Sequence, residues 1–267
     1  MRVDIDGVPE TMLMTLHNRA HEARRPDTYL EDPDCLRIYD AIDYDYEGHF
    51  GKPNDSHPMR SLLFDGVVKQ WMANHRGGTV VELAAGLETQ FQRIDDGHVQ
   101  WLCVDLPESL AVRERFLPSS KRCRYVGKSA LDLSWFDEVD GSHSVFVSAQ
   151  GILMYFEQSE IERLYLALIE RFPGVELMFD TIPRWLSKKS LTGWEMRKGY
   201  VTPRMPWGIS GPEVDLLLRS WSTRTAHVHT QPYGFARGPK RALVWGARFL
   251  PGLENTAPSI THVTTVA

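Results

Sequence analysis

Between residues 9 and 24 the apolar positions Met12, Leu13, Leu16, Ala20 and Ala23 recur at helical spacing behind Pro9-Glu10. A proline and an acid suit the first turn of a helix, so the pattern predicts an N-terminal helix. Arg24-Arg25-Pro26-Asp27 interrupts it, and Asp32-Pro33-Asp34 opens a short second helix carrying Leu36, Ile38 and Tyr39. Residues 44–57 are crowded with Tyr, Asp, Gly and Pro and read as loop. From Pro58 the positions Leu62, Leu63, Val67, Val68, Trp71 and Met72 return to the helical period, until Arg76-Gly77-Gly78 ends it.

Beyond residue 78 the period changes. Short β-branched runs at residues 79–83, 99–105, 124–126, 144–148 and 175–181 alternate with helical patterns at 107–117 and 158–171. Strands and helices alternating at this pitch predict an α/β fold with a doubly wound, mostly parallel sheet. Residues 1–78 then form a helical cap and 79–182 the main sheet. The stretch 183–215 breaks the alternation with Trp185, Trp194, Met196, Tyr200, Met205 and Trp207 set among Lys, Arg, Gly and Pro. It reads as an inserted lid or pocket wall. Residues 225–230 and 242–250 are predicted to pair as antiparallel strands closing one edge within 216–250, and the polar tail 251–267 to lie at the periphery.

Composition narrows the partners. The 267 residues are 42% hydrophobic and 24% charged, which fits an ordinary globular chain and excludes disorder and coiled coil. A net charge of −5 gives no bulk attraction to phosphate or anionic lipid, so neither a nucleic-acid nor a membrane partner is expected. No apolar run reaches the roughly 18 residues that span a bilayer. Cys35, Cys103 and Cys123 are too widely spaced for a metal-ligand motif, and they fit a reducing compartment. A cytoplasmic protein binding a small molecule, with no metal, is expected.

Several polar residues fall at strand ends, where an open parallel sheet binds its ligand. Glu82-Leu83-Ala84-Ala85-Gly86-Leu87-Glu88-Thr89 follows the first strand with small residues that let a ligand approach the backbone. Asp105 ends the second strand 23 positions after Glu82, about the spacing of an acid that meets ribose hydroxyls. Asp132-Leu133 follows the third strand and Gln150-Gly151 the fourth. There is no G-x-G-x-x-G and no phosphate-cradling P-loop. A nucleoside site without phosphate-binding features favours S-adenosylmethionine over a nicotinamide cofactor or ATP.

At the same positions the chain resembles the leucine carboxyl methyltransferase family, and within it the bacterial branch of tetracenomycin polyketide-synthesis-type O-methyltransferases. The resemblance runs over roughly residues 10–182. It rests on Arg19 to Asp27 with Asp32-Pro33, His57 to Asp65 with Arg60, Val81 to Thr89, Trp101 to Pro107, Asp132-Leu133, Gln150 to Tyr155, and Phe172-Pro173-Gly174 leading to Phe179-Asp180. It implies a seven-stranded, Rossmann-like class I methyltransferase sheet under an N-terminal helical cap. By the same resemblance Ala84 and Gly86 lie in the turn under the cofactor's methionine part, Asp105 at the ribose, and Asp132 and Leu133 at the adenine, with Leu106 a further cofactor contact. Arg60 pairs with the cofactor carboxylate, with Arg19 as a second candidate, and Gln150 sits near the amino group or sulfonium. The chain departs from the family pattern with Ala84-Ala85-Gly86 for Gly-Ala-Gly, Glu88-Thr89-Gln90 for Asp-Thr-Arg, and Gln150 for Glu. Ala84 fits the turn only if its φ is below zero, because a Cβ is penalised in the left-handed region.

Methyl transfer from a sulfonium is an in-line displacement in which orientation supplies much of the acceleration. A carboxylate acceptor arrives ionised, whereas a phenol profits from a base. His21, His57 and His143 are possible bases, and none is assigned. Tyr155, Trp185, Trp194, Tyr200 and Trp207 are the candidate acceptor contacts, a flat apolar slot for an aromatic or polyketide-like molecule. A small-molecule carboxylate is the first choice. A protein C-terminal carboxylate and a non-catalytic role in cofactor binding are the alternatives.

Overall fold

The computed structural model describes residues 3, 5–197, 199–237 and 256–267. Helices α1 (Gly7–Ala23), α2 (Pro33–Ala41), α3 (Tyr46–Phe50) and α4 (Ser56–Asn74) come first. The alternating region follows as β1 (Thr79–Leu83), α5 (Gln90–Ile94), β2 (Gln100–Asp105), α6 (Pro107–Arg113), β3 (Cys123–Gly127), β4 (Val145–Ala149), α7 (Gln158–Arg171) and β5 (Glu176–Thr181). Then come α8 (Arg184–Ser190), the strand pair β6 (Glu195–Arg197) and β7 (Tyr200–Val201), α9 (Gly211–Trp221), β8 (Thr225–Pro232) and β9 (Ser259–Thr265). The seven-stranded sheet has the order β3-β2-β1-β4-β5-β9-β8. β1 to β5 run parallel, and β9 is antiparallel to both its neighbours.

Every position of β1 and β4 is buried, as expected of strands covered on both faces. Side chains alternate between the two faces. Val81 and Leu83 join Val147, α7 and α9 in one core, while Val80 joins Phe146, Trp101 and the α4 residues Trp71 and Met72 in the other. A third cluster joins α1, α2 and α3 to Leu87 and Val112, so the cap rests directly on the turn after β1.

Three expectations need correction. Residues 44–57 are not all loop: Asp45 accepts the Gly48 N–H at 3.0 Å and starts α3, which buries Tyr46 and Phe50. α9 occupies the end of the supposed insertion, and its signal was present as the Ser210/Glu213 capping box. The third correction concerns the tail, which supplies β9, inserted between β5 and β8. Its Ile260 and Val263 are fully buried in opposite cores, and threonine fills much of the rest, with Thr261 Oγ1 and Thr230 Oγ1 2.9 Å apart and Thr265 Oγ1 donating to the Val175 carbonyl at 2.8 Å. β8 therefore pairs with β9, and the predicted strand 242–250 lies outside the described residues.

Candidate active site

Parallel strands bring their C-terminal ends to one edge, and their order reverses between β1 and β4, which leaves a crevice. A cavity of about 500 Å³ fills it. The floor is the turn after β1, where Ala84 has φ 52° and Gly86 φ 46°. The expected negative φ at Ala84 is thus corrected. It is the sole non-glycine residue with positive φ among those described, in a region that costs an L-residue roughly 1–2 kcal/mol.

The surroundings hold the turn in place. The Ala84 N–H donates to the Val104 carbonyl at 2.7 Å. Arg113, fully buried on α6, donates from Nη1 to the carbonyls of Ala85, Gly86 and Glu88 at 3.3, 3.0 and 2.6 Å. A Cβ on Gly86 would stand 2.9 Å from Met12 Cβ of α1. Glycine is required there on both counts.

Asp105 closes β2. Its carboxylate accepts the N–H groups of Gly86 and Leu106, both at 2.7 Å. Burial pushes this carboxyl above its ordinary value, and the hydrogen bonds from Gly86 and Leu106 oppose the rise. A carboxylate offers about four lone-pair directions, so acceptor capacity remains for hydroxyl donors.

Arg60 reaches the cavity from α4 and donates from Nη1 to Asp180 Oδ2 at 3.0 Å. Asp180, at the end of β5, also accepts the Gly151 N–H at 2.5 Å and the Tyr233 hydroxyl at 3.1 Å. Burial opposes the Arg60 charge, but Asp180, Tyr233 and Glu88 together outweigh it and the guanidinium holds its proton more firmly than usual. Arg60 Nε and Gln150 Oε1 are buried in the wall with no partner among the described residues. Unpaired buried polar atoms are costly, and a ligand is one way to satisfy them.

His57 lies one turn before Arg60 on the same helix and also lines the cavity. Its Nδ1 is 2.5 Å from Asn18 Nδ2, while Asn18 Oδ1 accepts the Asn54 N–H at 2.9 Å. Burial, then the charges of Arg60 and Arg19, push the imidazole down to about 3.

The remaining sequence candidates divide. Leu106, Tyr155, Trp194 and Tyr200 line the cavity. Arg19 does not: its Nη1 donates to Glu88 Oε1 at 2.8 Å and Thr89 Oγ1 at 2.9 Å, and its Nη2 to the Leu87 carbonyl at 2.7 Å, beneath the turn. Asp132 is exposed and caps a short 3₁₀ turn by accepting the Ser134 N–H at 3.1 Å, and Leu133 packs against the core. Ser129 and Ala130 stand in the wall instead. Trp185 is 52% exposed and donates to the Thr256 carbonyl at 3.1 Å. Trp207 is core, its ring 6.4 Å from that of Phe179. Of the possible bases, only His57 is in the wall.

Sequence reasoning gave no role to Asp180 or Tyr233. Asp180 was detectable as another acid at a strand end. Tyr233 follows β8 and carries no local signal.

The site thus fits a nucleoside with an amino-acid end: an acid closing the second strand, a glycine turn pressed from behind, and a guanidinium beside an amide with an unpartnered oxygen. Comparison with known proteins agrees. The sequence model of the leucine carboxyl methyltransferase family matches residues 12–168. The chain is similar to the tetracenomycin polyketide synthesis O-methyltransferase TcmP of Streptomyces glaucescens, 28% identical over 213 residues, covering 79% of this chain and 78% of TcmP. Its fold is similar to that of the plantazolicin methyltransferase BpumL in complex with SAH (TM-score 0.54, 9% identity, 98% of this chain and 100% of BpumL). It is also similar to magnesium protoporphyrin IX methyltransferase ChlM from Synechocystis PCC 6803 with bound SAH (TM-score 0.51, 11% identity, 87% of this chain and 93% of ChlM). At such identities the two structures speak to the fold alone.

Proposed function

Because this chain belongs to the leucine carboxyl methyltransferase family, whose methyl donor is S-adenosylmethionine, we propose that it is an O-methyltransferase acting on a flat, largely apolar small molecule. A carboxylate of that molecule is the first choice of acceptor and a hydroxyl the second. The bound cofactor supplies an electrophilic methyl on a sulfonium. Asp105 accepts from the ribose hydroxyls, Arg60 pairs with the carboxylate, Gln150 takes the amino group, and Ser129, Ala130 and Leu106 flank the adenine.

The distribution of side chains in the cavity carries the acceptor reading. Asp105, Gln150 and Asp180 enter the cavity from the strand ends, and Tyr155, Trp194, Met196, Tyr200 and Met205 supply apolar and aromatic lining. Such a slot holds a planar apolar body and excludes water from the displacement. The chemistry of the wall favours an acceptor that is already ionised. An imidazole pushed down to about 3 is a poor base, and burial pushes the Tyr155 phenol up, so it keeps its proton.

The test is incubation with S-adenosylmethionine and a panel of aromatic acids and phenols, read by mass spectrometry before and after mild alkali. An alkali-labile methyl ester is expected. An alkali-stable ether moves the reading to a hydroxyl, and transfer to none of them, with the cofactor bound, favours the non-catalytic alternative.

A further inference from the structure

Two contacts decide the state of His57. The Asn54 N–H takes Asn18 Oδ1 at 2.9 Å, which fixes the amide so that Nδ2 points to the imidazole. An amide nitrogen only donates, so His57 Nδ1, 2.5 Å away, must accept and carry no proton. In a neutral ring the proton then sits on Nε2. That nitrogen is the ring's remaining polar atom, on a residue that lines the cavity one turn from Arg60.

We propose that Asn18 fixes His57 as a neutral imidazole with its proton on Nε2, and that this N–H joins Arg60 in holding the carboxylate at the cofactor's amino-acid end. The proposal rests on the cofactor reading above. It gives the histidine a binding role and removes it as a base. A guanidinium and an N–H donor from successive turns of one helix suit the two oxygens of a carboxylate, and Arg60 alone is already committed to Asp180 through Nη1.

The charges that face His57 come from three elements: Arg60 on its own helix, Arg19 from α1 and Glu88 from the turn after β1. Glu88 is held ionised by Arg19 and Arg93 against the cost of burial, and Arg60 stays cationic beside Asp180. Nothing in this set switches the ring near neutrality. Replacing Asn18 by Asp keeps the acceptor for Asn54 and puts an accepting oxygen where the donating Nδ2 faced the imidazole. It therefore moves the proton to Nδ1 and favours the imidazolium.

The experiment combines nitrogen-15 NMR of the imidazole with calorimetry of S-adenosylhomocysteine and of 5′-deoxy-5′-methylthioadenosine, which lacks the amino-acid end. NMR of the wild type should report the Nε2–H tautomer, and an Nδ1–H tautomer or an imidazolium at neutral pH overturns the proposal. His57→Asn keeps a partner for Asn18 and loses the distal donor. It should weaken S-adenosylhomocysteine by about tenfold and leave methylthioadenosine unchanged, whereas His57→Gln, with its amide near the place of Nε2, should retain most of the affinity. Between about pH 5.5 and 8 His57 should add no titration step to the wild-type affinity. In Asn18→Asp it should fall as pH rises and the imidazolium loses its Nε2 proton. Equal losses for both ligands, or an effect confined to the acceptor's KM, overturn the carboxylate assignment. A folded wild type that binds no S-adenosylhomocysteine overturns the cofactor reading and this ligand with it, and the tautomer is still read by NMR.

Discussion

At Gly86 the chain has no freedom. Positive φ and a cap methylene 2.9 Å from a would-be Cβ both act against any side chain. Gly86→Ala should cost roughly 1–2 kcal/mol from the backbone alone and weaken S-adenosylhomocysteine binding further, because the turn must shift against α1. Calorimetry and urea unfolding together check this, and unchanged affinity would contradict the assignment of the turn. Asp105 makes a pH prediction. Its carboxyl is raised by burial in the free protein, and hydroxyl donors from a ribose favour the ionised form. Ligand affinity should therefore fall as pH drops through that raised value, while Asp105→Asn should bind more weakly with a flat acid limb. Gly86 and Asp105 were legible in the sequence because spacing after a strand fixes where they stand, whereas Arg60, on α4 ahead of the first strand, entered through the family resemblance alone. Asp132 was not, because the 3₁₀ helix at residues 133–138 decides whether a residue there faces the cavity or caps the helix.

Between elements, the cap is joined to the sheet by a buried ion cluster. Arg93 of α5 pairs with Asp32 and Asp65, each at 2.8 Å, and with Glu88 at 2.6 Å, and Arg19 of α1 meets the same Glu88. The family's arginine at the position of Gln90 is missing, yet Gln90 still donates to Asp65 at 3.0 Å, and Arg93, three positions further along α5, brings the positive charge. This departure relocates a charge within one structural cluster. Removing one member of a buried cluster leaves another uncompensated, so Glu88→Gln should cost about 3–5 kcal/mol in urea unfolding. Burial opposes ionisation of Glu88, but Arg19 and Arg93 hold its carboxyl well below the ordinary value of 4.5. A depressed carboxylate contributes stability that is present above that value and lost as pH falls below it, so Glu88→Gln should also flatten acid unfolding. Within residues 183–215 the two tryptophans should separate by assay. Trp194→Ala should raise KM for the acceptor and spare stability, whereas Trp207→Ala should cost about 3–5 kcal/mol of stability, as loss of a core indole does. Periodicity alone could not separate them, since both stand in the same aromatic-rich stretch.

Over the whole molecule, the parallel half of the sheet was legible and its closing edge was not. β1 to β5 announce themselves as β-branched runs punctuated by helices. β9 reads as a polar tail because threonine, not leucine, does most of its filling, and the strand lies more than 75 residues from β5 in sequence. Its place between β5 and β8 makes it indispensable. A chain ending at residue 258 should lose cooperative unfolding, and a truncated protein with a normal transition would contradict the observed pairing. No helix among the described residues is long and apolar enough to cross a membrane. The central claim is that the crevice between β1 and β4 holds the nucleoside and amino-acid parts of S-adenosylmethionine. Calorimetric titration of the purified chain with S-adenosylhomocysteine tests it most directly. Saturable heat with one ligand per chain is expected, abolished or much weakened in Arg60→Ala, and a folded wild type that gives no heat at millimolar ligand would contradict the assignment.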